Sequence, residues 1–273
     1  MIVAVDIGGT KTLIAVFDFK GKIIEQQRFE TSQNYKDFLN DLQMNLANLS
    51  TKTFSYGAVA VPAKIDRENG ATLGYGTLKW QPQPIQNDTE KIFNCPVVVE
   101  NDSKLAGLSE ALLLKSKYEN VLYVTIGTGI SCALITKGII DPAMADSEGG
   151  QILISSDGKM AQWEDVVSGK AIVKRFGKRA SDITDSKTWD TIAHDMAVGL
   201  IDLIAVTQPQ AIVMGGGVST NFDKFSSKLT KSLKNYATPL VPIPPILSAK
   251  NPEEAVVYGC YEIAKAKYGH ISK

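Results

Sequence analysis

The chain predicts an α/β protein made of two related halves, each a mixed sheet flanked by helices. Three observations carry this. Strand-like segments alternate with amphipathic helical ones along the sequence. The layout strand, glycine–threonine turn, strand occurs at the start of the chain and again at 121–136. Glycine turns at 8–9, 127–129 and 215–217 each follow a strand, the place where open α/β sheets gather ligands.

Residues 2–7 and 12–18 alternate as strands, and Phe19-Lys20-Gly21-Lys22 turns the chain into a third, Ile23–Phe29. Tyr35, Phe38, Leu39, Leu42, Leu46 and Leu49 recur at three and four, one face of a helix. Tyr56–Val61 reads as a short buried strand stopped by Pro62, and the glycine- and proline-rich stretch from Lys64 to Asn87 as a loop region. Cys95–Glu100 is a strand, and Asn101 and Asp102 open a helix whose Leu105, Leu108 and Leu112 share a face. Val121–Ile126 and Ser131–Thr136 are strands on either side of Gly127-Thr128-Gly129. Helices are expected at Val166–Phe176 and Lys187–Thr207, the second with Trp189, Ile192, Met196, Leu200 and Leu203 on one stripe. Ala211–Met214 runs as a strand into Gly215-Gly216-Gly217, and a helix with Phe222, Phe225, Leu229 and Leu233 follows. A last helix, Pro252–Tyr268, returns to the first half. The expected domains are 1–118 with 252–273, and 119–251.

Composition narrows the function. Acidic and basic residues balance at 29 each, with no basic stripe, so nucleic acid is not an expected partner. No stretch approaches the roughly 18 apolar residues of a membrane span. The chain starts in a strand without a basic leader region, which predicts a cytoplasmic protein. Cys95, Cys132 and Cys260 are far apart among apolar neighbours and read as buried thiols of a reducing compartment. His194 falls in a helical pattern and His270 in a frayed tail, so neither is an expected catalyst.

The first turn concentrates chemistry. Asp6 ends a strand, Gly8 and Gly9 let backbone N–H groups approach an oxyanion, and Thr10 and Lys11 add donors. The set suits a polyphosphate, with Asp6 holding a cation through water; it equally suits a plain hairpin turn. Gly127, Thr128 and Gly129 repeat the device, while Gly216 and Gly217 suit close backbone approach to a ribose or adenine. Asp102, at a strand-to-helix junction, has two readings: a helix N-cap, or a base that takes the proton of a hydroxyl attacking a γ-phosphoryl group.

Five segments in order resemble the ROK family of sugar kinases, within the actin/hexokinase/Hsp70 ATPase superfamily. They are Asp6-Ile-Gly-Gly-Thr-Lys11; Ala60-Val-Pro62 with Asp66 through Gly70; Val99-Glu-Asn101-Asp102 with Glu110; Thr125-Ile-Gly-Thr-Gly-Ile130; and Ile212-Val-Met-Gly-Gly-Gly-Val-Ser219. The resemblance implies two actin-like ATPase domains with ribonuclease H-like sheets around a central cleft. It also implies Asp102 as catalytic base, Asn101 on the sugar hydroxyls, and Gly216 and Gly217 along the adenosine pocket. ATP, Mg²⁺ near Asp6 and a homodimer come with it.

The departures fall near the acceptor. The family usually reads "GEIGH" and then a cysteine-rich zinc loop. Here Ser147-Glu148-Gly149-Gly150-Gln151 is followed by Ser155–Glu164, which has no cysteine. Glu148 and Glu164 align with the two sugar-facing glutamates, and Gln151 takes the place of the histidine that bridges sugar and zinc. A structural zinc needs four N or S ligands, so none is expected. Thr77 stands for the family's asparagine, Ala63 for the glycine after Pro62, and Ser131-Cys132-Ala133 for glycines beside the phosphate strand. The expectation is therefore an ATP-dependent kinase of a hexose or hexose derivative. A polyphosphate-dependent glucokinase, suggested by Trp163 beside the second glutamate, and a catalytically degenerate sugar-binding regulator are the alternatives.

Overall fold

A computed structural model of the chain describes residues 1–156 and 158–272, the side chains of residues 271 and 272 excepted. Asp157 in the Ser155–Glu164 loop and Lys273 at the end of the second predicted segment of the first domain lie outside the described residues. The chain divides into two units: Met1–Ser109 with the segment from Glu253 onward, and Glu110–Pro252.

In the first unit, β1 (Ile2–Ile7), β2 (Lys11–Phe17) and β3 (Ile23–Glu30) form an antiparallel meander. Helix α1 (Tyr35–Ala47) starts where the Asn34 side chain accepts from the N–H groups of Lys36 and Asp37. β4 (Tyr56–Val61) then adds parallel to β1, and β7 (Val97–Asn101) parallel to β4, giving the order β3-β2-β1-β4-β7. β4 is buried throughout, as a strand covered on both faces must be. α3 (Asp102–Leu112) follows β7.

The stretch read as a loop is one over residues 76–84 and structured on either side. It holds the hairpin β5 (Ala63–Asp66) and β6 (Ala71–Tyr75), and α2 (Ile85–Phe93) begins inside it. The hairpin turns at Asp66, whose carboxylate accepts from the N–H and amide of Asn69. α2 buries Ile85, Thr89 and Phe93 at four-residue spacing and ends on Asn94 in the left-handed region. The core of this sheet face joins Val3, Val5 and Ile7 to Phe38, Leu42 and Trp80.

The second unit repeats the pattern. β8 (Asn120–Ile126), β9 (Ile130–Thr136) and β10 (Ile139–Ile140) are antiparallel. A small hairpin follows, β11 (Leu153–Ser156) with β12 (Lys159–Gln162). The helix expected at Val166–Phe176 is instead two, α4 (Trp163–Val167) and α5 (Gly169–Phe176). Ser168 between them is extended, at φ −64° and ψ 165°, and its hydroxyl caps α5 by accepting from Ala171 N–H. α6 (Ser186–Thr207) begins at a capping Asp185 and lays its predicted stripe into the core. β13 (Ala211–Gly215) runs parallel to β8, α7 (Phe222–Lys234) follows, and β14 (Ile246–Ser248) closes the order β10-β9-β8-β13-β14.

α8 (Ala255–Tyr268) returns to the first unit, three residues later than predicted, and packs on β1 and β4. The two mixed sheets share one strand pattern, as the repeated turn predicted. His194 lies in α6, and an exposed His270 follows α8 in a single tight turn. All three cysteines are buried, and none of them is in a disulfide. Among the described residues, no helix is long and apolar enough to cross a membrane.

Candidate functional site

The first glycine turn is a hairpin turn and an exposed donor set at once. Gly8 N–H donates to Lys11 O at 3.0 Å, closing the loop between β1 and β2 and leaving the side chains of Thr10 and Lys11 exposed. Thr77 is held over this turn: a Cβ on Gly9 would meet its Oγ1 at 3.0 Å. The segment that carries Thr77 is pinned by Trp80, which meets Tyr35 and Tyr75 edge-on, lies tilted against Phe38 and donates its indole N–H to Ser32 O. Gln33, which the sequence did not single out, ties the two pieces: its amide donates to Gly9 O and accepts from Lys79 N–H.

Asp102 stands at the start of α3, yet Asn101 does the capping. Asn101 Oδ1 accepts from the N–H groups of Ser103 and Lys104, at 3.0 and 3.3 Å, and from the Ser103 hydroxyl at 2.6 Å. Its amide donates to Ala63 O at 3.2 Å, so the predicted Asn101 and Ala63 positions are in contact. Asp102 Oδ1 accepts from Ser103 N–H at 2.8 Å. Just before them, Glu100 is buried and accepts two bonds from the Arg67 guanidinium, each 2.7 Å, and one from Asn101 N–H. That pair joins the β5–β6 turn to β7 across 33 residues, a separation at which sequence carries no pairing signal.

Burial raises the Asp102 carboxyl above its ordinary value, against the lowering pull of Ser103 N–H and of the Lys104 charge. Asp6 rises further, from 3.8 to about 7, through burial first and the Asp102 charge second, with Arg28 pulling the other way. Arg28 sits in the same row across the sheet, since Asp6 pairs with Leu13 and Leu13 with Arg28. Two desolvated carboxylates that repel each other suit a hard dication. Among the described residues no three His, Cys, Asp or Glu side chains cluster as a metal cage. The residues therefore fit magnesium as it commonly binds, by one or two carboxylates with water and phosphate completing the shell.

In the second unit, Gly127 N–H donates to Gly129 O at 2.9 Å, again a tight turn with an exposed threonine, Thr128. Gly127, Thr128 and Gly217 line a cavity of about 510 Å³, together with Lys170 and Arg179, two cations that sequence reasoning missed. The mouth of α5 is stitched to this turn by Gly169 N–H, which donates to Gly127 O. Gly216 has φ +82° and lies so near the end of β8 that a Cβ would reach Ile126 O at 2.6 Å. Only glycine fits there without strain.

The expected acceptor residues of this unit gather beside the same turn. Glu164 Oε2 accepts from Ile130 N–H at 3.2 Å, and Glu164 Oε1 accepts from the Gln151 amide at 2.5 Å. An amide facing a carboxylate must present its NH₂, so the Gln151 oxygen is the atom left for other partners. Glu148 is exposed, and its carbonyl accepts from Gln151 N–H. Cys132 fills the space where the resemblance has glycine: a Cβ on Gly149 would touch its sulfur at 2.7 Å.

The sequence profile of the ROK family matches residues 2–267. The fructokinase of Streptococcus mutans is 26% identical over 270 residues, 89% of this chain and 88% of that protein. The glucokinase of Streptomyces coelicolor is 23% identical over 317 residues, 97% of this chain and 98% of that protein. The solved structure of a ROK family glucokinase from Streptomyces griseus, in complex with glucose and AMPPNP, superposes with a TM-score of 0.79 at 21% identity, over 97% of this chain and 99% of that one. With the profile spanning nearly its whole length and the fold in agreement, the chain belongs to the ROK family.

Proposed function

We propose that the chain is a kinase that transfers the γ-phosphoryl group of ATP to a hydroxyl of a hexose or hexose derivative. The observation that carries this is the division of labour at the start of α3. Asn101 caps the helix, so Asp102 is not needed for that structural task and sits, with a raised pKa, in a desolvated place. A carboxylate so placed suits a general base, because its raised proton affinity favours taking a proton in the transition state. Asp102 takes the proton of the attacking hydroxyl as its oxygen forms a bond to the γ-phosphorus and the bond to the β-phosphate oxygen breaks. Thr10, Lys11 and Thr128 donate to the phosphate oxygens, which is most of what phosphoryl transfer asks of a protein. Gly216 and Gly217 leave room for the adenosine. Glu148, Gln151 and Glu164 with Asn101, Ala63 and Thr77 orient the acceptor. Asp6 would hold magnesium through water, and the ion would supply charge neutralisation to the donor phosphates.

Lys170 and Arg179 beside Thr128 favour a second reading in which the donor is inorganic polyphosphate, since two cations suit a longer polyanion. One experiment tests both. Product formation is measured for a panel of glucose, mannose, fructose, allose and N-acetylated amino sugars, each with ATP and with polyphosphate. Turnover of at least one hexose with ATP is the expected result. Turnover with polyphosphate alone replaces the donor, and sugar binding without turnover by either donor overturns the kinase reading in favour of a sugar-binding regulator.

A further inference from the structure

Glu164 sits where a short, mostly exposed hairpin meets a five-residue helix that buries Val166 and Val167 in the core. α4 spans five residues, and its N-cap Gln162 makes no side-chain capping bond. On β11 and β12 the outward Leu153, Lys159 and Met160 are exposed, and of the apolar side chains Ile154 alone is fully buried. The residue before the glutamate is the largest of the side chains that anchor the segment. Trp163 is 0% exposed, its backbone N–H donates to Ile152 O at 2.8 Å, and its indole N–H donates to Asp195 O on α6 at 3.0 Å. A second tie runs alongside: Arg175 bridges from the carboxylate of Asp195 to the carbonyl of Val166 in α4, at 2.7 and 2.6 Å.

The indole rests on Gly199, in the middle of α6. A Cβ at Gly199 would lie 2.5 Å from Cε2 and Cγ of the Trp163 ring, an overlap that a rigid bicycle in a filled core has no room to relieve. A mid-helix glycine costs about 1 kcal/mol against alanine, and the ring contact is the reason it stands there. The seat of the ring therefore sets the height of the next side chain, Glu164, above the second phosphate turn.

We propose that Trp163 and Gly199 are positioning residues for the acceptor: the indole, seated on the bare helix backbone and bonded to Asp195 O, sets where the Glu164 carboxylate meets Ile130 N–H and Gln151. This rests on the reading of Glu164 as a sugar-binding residue. The device acts on Glu164 through its neighbour in sequence, with no contact of its own to the acceptor.

The test is a double-mutant cycle on the full chain, read as KM for the best sugar of the panel and checked for folding by circular dichroism. Gly199→Ala is expected to raise that KM by about tenfold, the scale of effect for a displacement of a fraction of an ångström. In a Glu164→Gln background the same substitution is expected to add less than about twofold, because sites acting through one group are not additive. Unchanged KM in the folded Gly199→Ala protein overturns the proposal, and so does an equal rise in both backgrounds. Should Gly199→Ala fail to fold, Trp163→Phe, which drops the indole N–H and part of the ring, is put through the same cycle, and the same two results overturn the proposal. Glu164→Gln with unaltered sugar KM would sink the assignment of Glu164 itself, a failure distinct from the other two.

Discussion

Asp6 carries a charge that the fold does not want. Its carboxyl lies within reach of the Asp102 charge, and its pKa is raised from 3.8 to about 7. The folded chain binds this proton more tightly than the unfolded chain does. Its contribution to stability is fully present below pH 3.8 and is lost as the pH rises towards 7. At about 1.4 kcal/mol per pH unit, the gap amounts to about 4 kcal/mol at pH 8 and to less than about 2 kcal/mol at pH 5. Asn has nearly the same shape and no charge. Asp6→Asn is therefore expected to be more stable than the unaltered chain, by more than twice as much at pH 8 as at pH 5. Urea denaturation at the two pH values, in EDTA and without nucleotide, measures this directly, while phosphoryl transfer by the same variant is expected to collapse. A gain that is equal at both pH values, or absent at pH 8, refutes the reasoning.

Four further outcomes follow from the same geometry. Asp102→Asn is expected to fold normally and lose 10²–10⁴-fold in kcat, about what removing a general base costs. In the unaltered enzyme, the acidic limb of the kcat profile is expected above the ordinary carboxylate range, activity falling as Asp102 protonates; a limb near pH 4 would contradict the raised pKa. Arg67→Ala strands the buried Glu100 carboxylate and is expected to cost about 2–3 kcal/mol, with most of it returned by adding Glu100→Gln, as denaturant midpoints of the two variants would tell. Asn101→Ala removes the α3 cap and the bond to Ala63 O, and is expected to lower stability by about 1–2 kcal/mol as well as kcat.

Much of the fold was legible because its signals are local. The alternation of residues 2–7, the spacing of Phe38, Leu42 and Leu46, and the glycine turns at 8–9 and 127–129 each lie within one element, and the repeat of sheet order follows from their recurrence. The misreadings have equally local causes. Gly70, Gly74, Pro82 and Pro84 crowd the stretch before residue 87 and mask the β5–β6 hairpin, while the start of α2 was hidden although Ile85, Thr89 and Phe93 repeat at helical spacing. Ser168 could be read as helical by pattern, and only its extended backbone parts α4 from α5. At the site, the choice between Asn101 and Asp102 as cap could not be read from residue type, since both cap well; it depends on which one the end of β7 leaves outside the first helical turn. Gln33, Arg67, Lys170 and Arg179 have partners far off in sequence, and tertiary packing alone discloses them.

The two bonds of the Glu164 carboxylate have a thermodynamic corollary. One oxygen grips the amide of Ile130, at the foot of the second glycine–threonine turn, and the other faces Gln151. Whatever draws on the Gln151 side of that carboxylate alters the charge available to the turn, and whatever tightens the turn alters the carboxylate. Linkage makes such an exchange symmetrical: if one ligand sharpens affinity for another by some factor, the second returns the same factor to the first. On the proposed assignment, donor and acceptor binding would then be coupled through Glu164, each changing the other's affinity by one and the same factor.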